Sequence, residues 1–263
     1  MRIKTGFVIF SLFFLFGCGG GGGDSVSTPP VFVERTSTTC VPNGALQFGA
    51  YYPFNNLWGM RYYPTYTDYS ACVSGTTTQT GAKYEFTWDW TKSALFPGVK
   101  AYQEIKYDFR SMPISNINKL SMTHDYTVDA VGAYNVIYDL WLDKNSVYSA
   151  PQSIEITIWV GRAPEWIPDQ TIDSMSINGV IYNFVHNALQ TYPEGSLIGH
   201  KLYQFHAIQP MPKGTIQVKP FTDYLVAKGL LPSDYLLNRI EFGSEQMTGK
   251  GKLTINNYSV NNN

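Results

Sequence analysis

The chain has 263 residues and a formal net charge of −1, so the charge excludes the electrostatic attraction on which nucleic-acid binding depends. Its length allows one large domain with a full core. Aromatic residues make up 15% of the chain and charged residues another 15%, a balance that suits a β protein binding a neutral polymer.

The first 17 residues predict a targeting signal. Arg2 and Lys4 give a basic start, and residues 6–16 form an apolar run too short to span a bilayer comfortably. Leu-Phe-Gly-Cys at 15–18 resembles a bacterial lipobox, which implies a lipid on Cys18 and export to the outer membrane or cell surface of a Gram-negative bacterium. The alternative is an ordinary secretory signal with a chance cysteine, in which case the domain is secreted.

A flexible tether is predicted for residues 18–35, which are rich in Gly, Ser and Pro, followed by a single domain at residues 36–263. If Cys18 is lipidated, Cys40 and Cys72 remain, and in an exported chain two cysteines most simply form one disulfide. The alternative is two free thiols.

Short alternating or β-branched runs recur past residue 35, separated by Gly, Pro, Asn and Asp. They predict strands at 84–90, 133–142, 154–160, 176–183, 201–208 and 253–258. Such spacing indicates an all-β fold, a sandwich or β-jelly roll of two antiparallel sheets. One short helix is predicted at 222–228, because Gly229 ends it and Pro232 follows.

Several predicted strands have two chemically different faces. In 154–160, alternate residues are aliphatic and belong in a core, while the other face carries Glu155, Thr157 and Trp159. Asp139 and Trp141 likewise share a face of their strand. A concave sheet lined by acids and tryptophans fits a polysaccharide cleft; the alternative is that each acid is simply solvated on an outer face.

The strand predicted at 239–247 belongs with these. Glu241 and Glu245 share one of its faces if no bulge intervenes. In 84–90, Trp88 shares a face with Phe86 and Trp90 and is a further aromatic candidate for the cleft.

Four motifs stand in order along the chain: Asn-Asn-Leu-Trp-Gly at 55–59, Tyr-Asp-Leu-Trp-Leu at 138–142, Glu-Ile-Thr-Ile-Trp at 155–159 and Gly-Ser-Glu-Gln-Met-Thr-Gly at 243–249. Together they resemble glycoside hydrolase family 12, the compact jelly-roll endoglucanases, over nearly all of the chain after the tether. The resemblance makes 36–263 a catalytic domain with a concave cleft for a β-1,4-glucan: cellulose-like, mixed-linkage or xyloglucan. Some members also hold an N-terminal disulfide about where Cys40 and Cys72 fall.

The resemblance implies a retaining double displacement. Glu155 would be the nucleophile, Glu245 the general acid/base, and Asp139 the hydrogen-bond partner of the nucleophile. A retaining pair of carboxyl groups is expected about 5–5.5 Å apart. Trp58 would stack on a sugar ring, and Asn56 would line the same subsites.

The remaining substrate-binding candidates are Trp88, Trp141, Trp159 and Glu241. Glu241 stands where the family usually has Gln, and a carboxylate beside Glu245 would raise its pKa and the pH optimum. Thr157, Gln246 and Met247 also depart from the family pattern. These changes bear on the substrate more than on the reaction.

No cofactor or metal is expected, because the four histidines, His124, His186, His200 and His206, lack metal-ligand spacing and are interpreted as surface or packing residues. Glu165 and Trp166 lie in a loop that either borders the cleft or is plain surface. The expected partner is a β-glucan, and the default state is a monomer. Two alternatives stay open: a surface lipoprotein that binds glucan without cutting it, and a related jelly-roll xylanase.

Overall fold

The computed structural model describes residues 32–63, 65–93, 98–145, 153–166, 170–187 and 199–262, except the side chains of Ser93, Arg110, His186 and Asn187. Residues Val33–Asn263 form one compact unit. The predicted signal, Cys18 and most of the tether lie outside the described residues.

Fourteen strands are described, and they form two sheets. Strands of the first sheet lie in the order β1 (Arg35–Thr39), β3 (Ser70–Thr78), β4 (Gly81–Asp89), β14 (Lys250–Asn261), β6 (Ser121–Val131) and β12 (Lys213–Gln217). The second sheet has eight strands in the order β2 (Tyr52–Asn56), β5 (Ala101–Pro113), β13 (Leu236–Gln246), β7 (Asn135–Asp143), β8 (Ile154–Arg162), β11 (Lys201–Ala207), β10 (Val180–Asn187) and β9 (Asp173–Ile177).

The prediction of an all-β jelly roll is confirmed, with one difference in strand direction. β8 and β11 run parallel, whereas the other described pairings are antiparallel. Three short 3-10 helices also interrupt the strands, at Trp58–Tyr62, Thr91–Ser93 and Ile114–Asn116.

The core lies between the two sheets and is built by alternation along the strands. In β8 the aliphatic residues Ile154, Ile156, Ile158 and Val160 are buried, as their period of two predicts. Because one face of each strand is committed to the core, the other face of the eight-stranded sheet is left for polar and aromatic side chains.

The position of Trp88 contradicts the prediction that it binds substrate. Trp88 lies on β4, in the six-stranded sheet, and its indole is buried in the core beside the ring of Tyr134. Its partners on the same face, Phe86 and Trp90, are buried too. Alternation grouped these rings correctly but could not tell which sheet the strand joins.

The strand predicted at 176–183 is two strands. β9 ends at Ile177 and β10 begins at Val180, joined by Asn178 and Gly179. Both joining residues have positive φ, 49° and 81°. Asn-Gly is the preferred pair for such a hairpin turn, so this local signal overrides the apolar alternation around it.

The helix α1 spans Lys219–Ala227, three residues ahead of the predicted start, because Pro220 occupies its first turn and suits that position. Gly229, with φ of 69°, follows its end as predicted. Within the part of the chain that the structure describes, no helix has both the length and the hydropathy needed to cross a bilayer.

The predicted disulfide is confirmed: Cys40 and Cys72 are bonded, 32 residues apart in sequence. The bond joins the residue after β1 to β3, which pairs with β1 at the edge of the six-stranded sheet. It therefore fastens a short, exposed edge strand to the sandwich.

We expect the double variant Cys40→Ala/Cys72→Ala to lower the free energy of unfolding by about 3–4 kcal/mol, because opening this loop restores entropy to the unfolded chain. Chemical denaturation followed by tryptophan fluorescence measures the change, and reduced wild-type protein is the matched control. An unchanged denaturation midpoint in both samples would contradict the prediction.

Candidate active site

The predicted acids meet on the face of the eight-stranded sheet that points away from the core. Strand register places Asp139 of β7 opposite Glu241 of β13 on one side and Thr157 of β8 on the other. One step along, Trp141 lies opposite Glu155. Because cross-strand partners share a face, the motifs at 138–142 and 155–159 converge with Glu241 on one surface.

Glu155 is held by two side chains. It shares a hydrogen bond with Asp139, and its Oε2 lies within hydrogen-bonding distance of His200 Nε2. The Glu155 side chain keeps 15% of its exposure, whereas His200 keeps only 4%. The carboxylate is therefore open on one side and fixed on the other.

Asp139 is almost completely buried at the floor of the site. Burial, followed by the negative charge of Glu155, raises the pKa of Asp139 well above its usual range. A protonated Asp139 donates its hydrogen bond to Glu155. This is the geometry expected of the nucleophile's partner.

Glu245 is oriented by Asn135 at the start of β7. The Asn135 amide donates from Nδ2 to Glu245 Oε2 at 2.6 Å, and its Oδ1 accepts the Glu245 backbone N–H at 2.9 Å. Burial raises the pKa of Glu245 to about 7, with a further contribution from the charge of Glu155, while the Asn135 hydrogen bond opposes the shift. Glu245 can thus hold a proton near neutral pH and release it.

Asn135 was not singled out from the sequence as a site residue, although period-two alternation already placed it on the face of Asp139. Gly243, two residues before Glu245, has a steric role. A Cβ on Gly243 would lie 1.9 Å from the Gln103 carbonyl oxygen, so strand β5 could not approach β13 as it does.

Glu241 faces basic groups and an indole. Lys106 Nζ lies 3.3 Å from Glu241 Oε1, Arg239 Nη1 lies 3.5 Å from the same oxygen, and Trp141 Nε1 donates to Oε2 at 3.2 Å. The acid that raises the pKa of Glu245 is Glu155. The expectation that Glu241 would do so is therefore corrected: Glu241 contacts Lys106 and Arg239 at the other end of the site.

Glu104 is a fully buried acid that the sequence reading missed. Asn56 Nδ2 donates to Glu104 Oε1 at 3.2 Å, and Lys106 Nζ lies 3.0 Å from that same oxygen. Burial first, and then Glu241, raise the pKa of Glu104 well above its usual range. Glu104 directly follows Val-Lys-Ala-Tyr-Gln at 99–103, a run that resembles the family only weakly, and nothing in that run marks the acid as buried.

These groups border a cavity of about 410 Å³ at one end of the acidic surface. Its lining mixes neutral, acidic and basic side chains and one indole; it consists of Asn56, Lys106, Asp108, Phe109, Trp141, Leu142, Asp143, Ser153, Asn238, Arg239 and Glu241. Three predicted subsite residues, Asn56, Trp141 and Glu241, thus lie around one hollow.

A separate aromatic cluster covers the opposite end of the surface. Trp159 is buried with Tyr102 and Ile137, and Trp58 and Trp166 pack against them from outside. Trp159 and Trp166 meet edge to face at 5.2 Å. Trp166 therefore borders the site, and Trp58 lies there partly exposed, with apolar area for a sugar ring.

The departures from the family pattern lie close to the acids. Thr157 is buried, and its Oγ1 accepts a hydrogen bond from Trp159 Nε1 at 3.2 Å. Gln246 is buried next to Glu245 and donates to the Ser244 carbonyl at 2.6 Å. Lys100 Nζ donates to the Met247 carbonyl. These contacts shape the surroundings of Glu245 without displacing it.

The histidines have different surroundings. His124 is a core residue bonded to the Tyr138 hydroxyl, and His206 packs its ring against Trp159 at 4.1 Å. His200 contacts Glu155, a role that the interpretation as a packing residue missed. The His186 side chain lies outside the described residues. Within the described ranges, no group of three or more His, Cys, Asp or Glu side chains could hold a metal ion.

Comparisons with known proteins identify the family of the chain. The sequence model of Glycosyl hydrolase family 12 matches residues 49–263. Endoglucanase S of Pectobacterium parmentieri is 24% identical over 235 residues, 82% of this chain and 83% of that protein. Inactive glycoside hydrolase XLP1 of Phytophthora nicotianae is 29% identical over 226 residues, 81% of this chain and 86% of that protein.

A solved structure shares the fold. The native family 12 xyloglucanase from Bacillus licheniformis superposes with a TM-score of 0.74 at 21% identity. The match covers 86% of this chain and 99% of that one.

We expect Asn135→Ala to raise the pKa of Glu245 above its wild-type value of about 7, because the lost hydrogen bond favoured the ionised carboxylate. NMR titration of ¹³C-labelled glutamate carboxyl groups measures it, and Glu245→Gln assigns the signal. Glu241→Gln is the matched control and should leave this titration unmoved. A fall in the Glu245 pKa in Asn135→Ala would contradict this explanation of the Glu245 pKa. A change of the Glu245 pKa in Glu241→Gln would contradict it as well.

Proposed function

The chain belongs to glycosyl hydrolase family 12 and hydrolyses β-1,4-glucan chains internally; from this premise we propose that it does so with retention of anomeric configuration. In this proposal Glu155 is the nucleophile and Glu245 the general acid/base. Asp139 is the partner that orients the nucleophile. The chain needs no cofactor for this reaction.

The observation that carries the proposal is the contrast between the two glutamates. Glu155 receives hydrogen bonds on a surface that remains open, which suits a carboxylate that must attack. Glu245 has a pKa raised to about 7, which suits a group that must give up a proton and later take one back. Acid-assisted glycoside hydrolysis requires two carboxyl groups with opposed environments, and the resemblance to family 12 assigns this pair to the retaining form of the reaction.

The steps follow from these positions. Protonated Glu245 gives its proton to the oxygen of the leaving sugar while a Glu155 oxygen bonds to the anomeric carbon, and the bond to the leaving oxygen breaks. Glu245, now a carboxylate, takes a proton from water, which attacks the anomeric carbon and expels Glu155. Two inversions give overall retention, and no water needs room between nucleophile and sugar, hence the expected separation of about 5–5.5 Å.

The proposed subsites lie on both sides of the acids. Trp58 offers aromatic area at one end, where the buried Trp159 supports it from below. Trp141, Asn56 and Glu241 surround the cavity at the other end. Acids outnumber bases around that hollow, which disfavours acidic sugars and favours a neutral glucan. Cellulose-like glucan, mixed-linkage β-glucan and xyloglucan all satisfy this condition.

Glucan binding without cleavage is the second candidate. One observation favours it: a relative 29% identical to this chain is named an inactive glycoside hydrolase. In this chain both glutamates are present and both have hydrogen-bond partners. An assay that measures both binding and hydrolysis separates the two candidates.

We expect the purified domain, residues 36–263, to release new reducing ends from at least one of carboxymethyl cellulose, barley β-glucan and xyloglucan, with xylan as the competing substrate. Glu155→Gln should abolish activity, and Glu245→Gln should reduce it by roughly 10²–10⁴-fold, the usual contribution of general acid–base catalysis. Proton NMR of the first products should show the β anomer.

Glu85→Gln is the matched control, because Glu85 lies half-exposed on the six-stranded sheet beside Lys252. It should keep wild-type activity. A first product with the α anomer would rule out retention. Binding without hydrolysis on all four polymers would favour the second candidate, and preference for xylan would favour the xylanase alternative.

The location of the domain is a separate part of the proposal. Cys18 is lipidated, the tether at 18–35 joins the lipid to a monomeric domain, and the protein faces its polymer from the outer membrane or cell surface. The support is the resemblance of residues 15–18 to a lipobox, together with the disulfide, which suits an oxidising compartment.

We expect the full chain, expressed in a Gram-negative host, to incorporate radiolabelled palmitate and to sediment with membranes. Cys18→Ser should abolish both, while Cys40→Ser should keep the label because Cys40 is bonded to Cys72. Release of unlabelled wild-type domain into the medium would instead support the ordinary secretory signal.

A further inference from the structure

His200 occupies a position that the proposed mechanism has not used. It directly precedes β11, the strand that runs parallel to β8, and its Nε2 reaches Glu155 Oε2. It is the second side chain, after Asp139, that contacts the nucleophile. It comes from a different strand, so its approach is independent of the β7–β8 pairing.

The imidazole is held in place by a neighbouring ring. Trp141 meets it edge to face, with ring centroids 4.8 Å apart, and Trp141 in turn donates Nε1 to Glu241 at 3.2 Å. With only 4% of its side chain exposed, His200 has little freedom to turn away from Glu155. A ring fixed in this way keeps its N–H group directed at one carboxylate oxygen.

This contact bears on the second step of the proposed mechanism, hydrolysis of the glycosyl-enzyme. When water attacks the glycosyl-enzyme, the bond between the anomeric carbon and the Glu155 oxygen breaks, and its electron pair returns to the carboxylate. Negative charge then develops on both oxygens of Glu155. A hydrogen-bond donor already aimed at Oε2 stabilises that charge as it forms.

We propose that His200 is a positioning residue that donates a hydrogen bond to Oε2 of Glu155 and speeds release of the nucleophile from the glycosyl-enzyme. The same bond also stabilises the free carboxylate before attack, and that charge is partly lost in the transition state of the first step, so the bond slows the first step rather than speeding it. This inference rests on the proposed function.

The test separates the two steps with 2,4-dinitrophenyl β-cellobioside, whose leaving group departs without help from an acid. With this substrate kcat/KM reports formation of the glycosyl-enzyme, and kcat reports its hydrolysis once hydrolysis is slower. We expect His200→Phe, which keeps a ring against Trp141 but has no donor, to lower kcat and KM together. The fall should be about tenfold to a hundredfold, as expected for one hydrogen bond to a charged group, with kcat/KM unchanged or higher.

Two further measurements accompany the kinetics. Rapid quenching and intact mass should show a glycosylated protein accumulating in His200→Phe, and peptide mapping should place the sugar on Glu155. His200→Gln, which restores an N–H donor, should recover part of kcat. If His200→Phe does not fold, by circular dichroism, then His200→Leu and His200→Gln supply the same comparison.

The outcomes are distinct. Unchanged kcat in the donor-free variants, or an equal fall in kcat and kcat/KM without accumulated adduct, would overturn the role of His200. Wild-type labelling by 2,4-dinitrophenyl 2-deoxy-2-fluoro-β-cellobioside tests the proposed function by itself. Absence of a wild-type adduct would overturn the retaining mechanism and this inference with it.

Discussion

The burial of several carboxyl groups on one sheet is the constraint around which this domain is organised. Glu104, Asp139 and Glu241 are all nearly inaccessible to water, and Glu155 and Glu245 stand among them. Like charges this close cannot all remain ionised in a poorly solvated place. The domain limits this repulsion in two ways: some of the acids stay protonated, and others form ion pairs with Lys106 and Arg239.

The two ends of the acidic surface use these answers differently. Around Glu241 the balance is ionic, because cations contact it directly. Around Glu155 and Glu245 the negative charge is instead balanced by hydrogen bonds. Asp139 shares a proton with Glu155, and the Asn135 amide donates to Glu245. The reactive end therefore holds protons on Asp139 and Glu245, and the other end combines a protonated Glu104 with ionic contacts around Glu241.

Much of this arrangement could be read from the sequence, because it depends on alternation and on local motifs. Period two separated the aliphatic face of β8 from Glu155, and the motifs identified Glu245 and Asp139. What failed depended on which strands become neighbours. Trp88 has the same local pattern as a cleft residue but lies in the other sheet, and His200 shows no pattern because its partner is 45 residues away.

Glu104 illustrates a third kind of gap. Its strand carries only weak family similarity, and nothing local marks an acid in a strand as buried. Its burial follows from β5 lying between β2 and β13; β2 brings Asn56 to it, while Lys106 lies two residues further along β5 itself. The sequence of one protein does not tell which strands lie side by side in a sheet. The Asn178-Gly179 turn, by contrast, is a local signal that the sequence carries, although the apolar alternation around it favours one unbroken strand.

The retained protons couple folding to acidity. Glu104, Asp139 and Glu245 have folded-state pKa values above those of the unfolded chain, so at mildly acidic to neutral pH the folded domain binds protons that the unfolded chain releases. Stability contributed by these groups is present at low pH and declines as pH rises from the ordinary carboxyl range towards and beyond about 7. Unfolding near neutral pH is thus a proton-releasing reaction. Its calorimetric enthalpy will include the ionisation heat of whichever buffer takes up those protons.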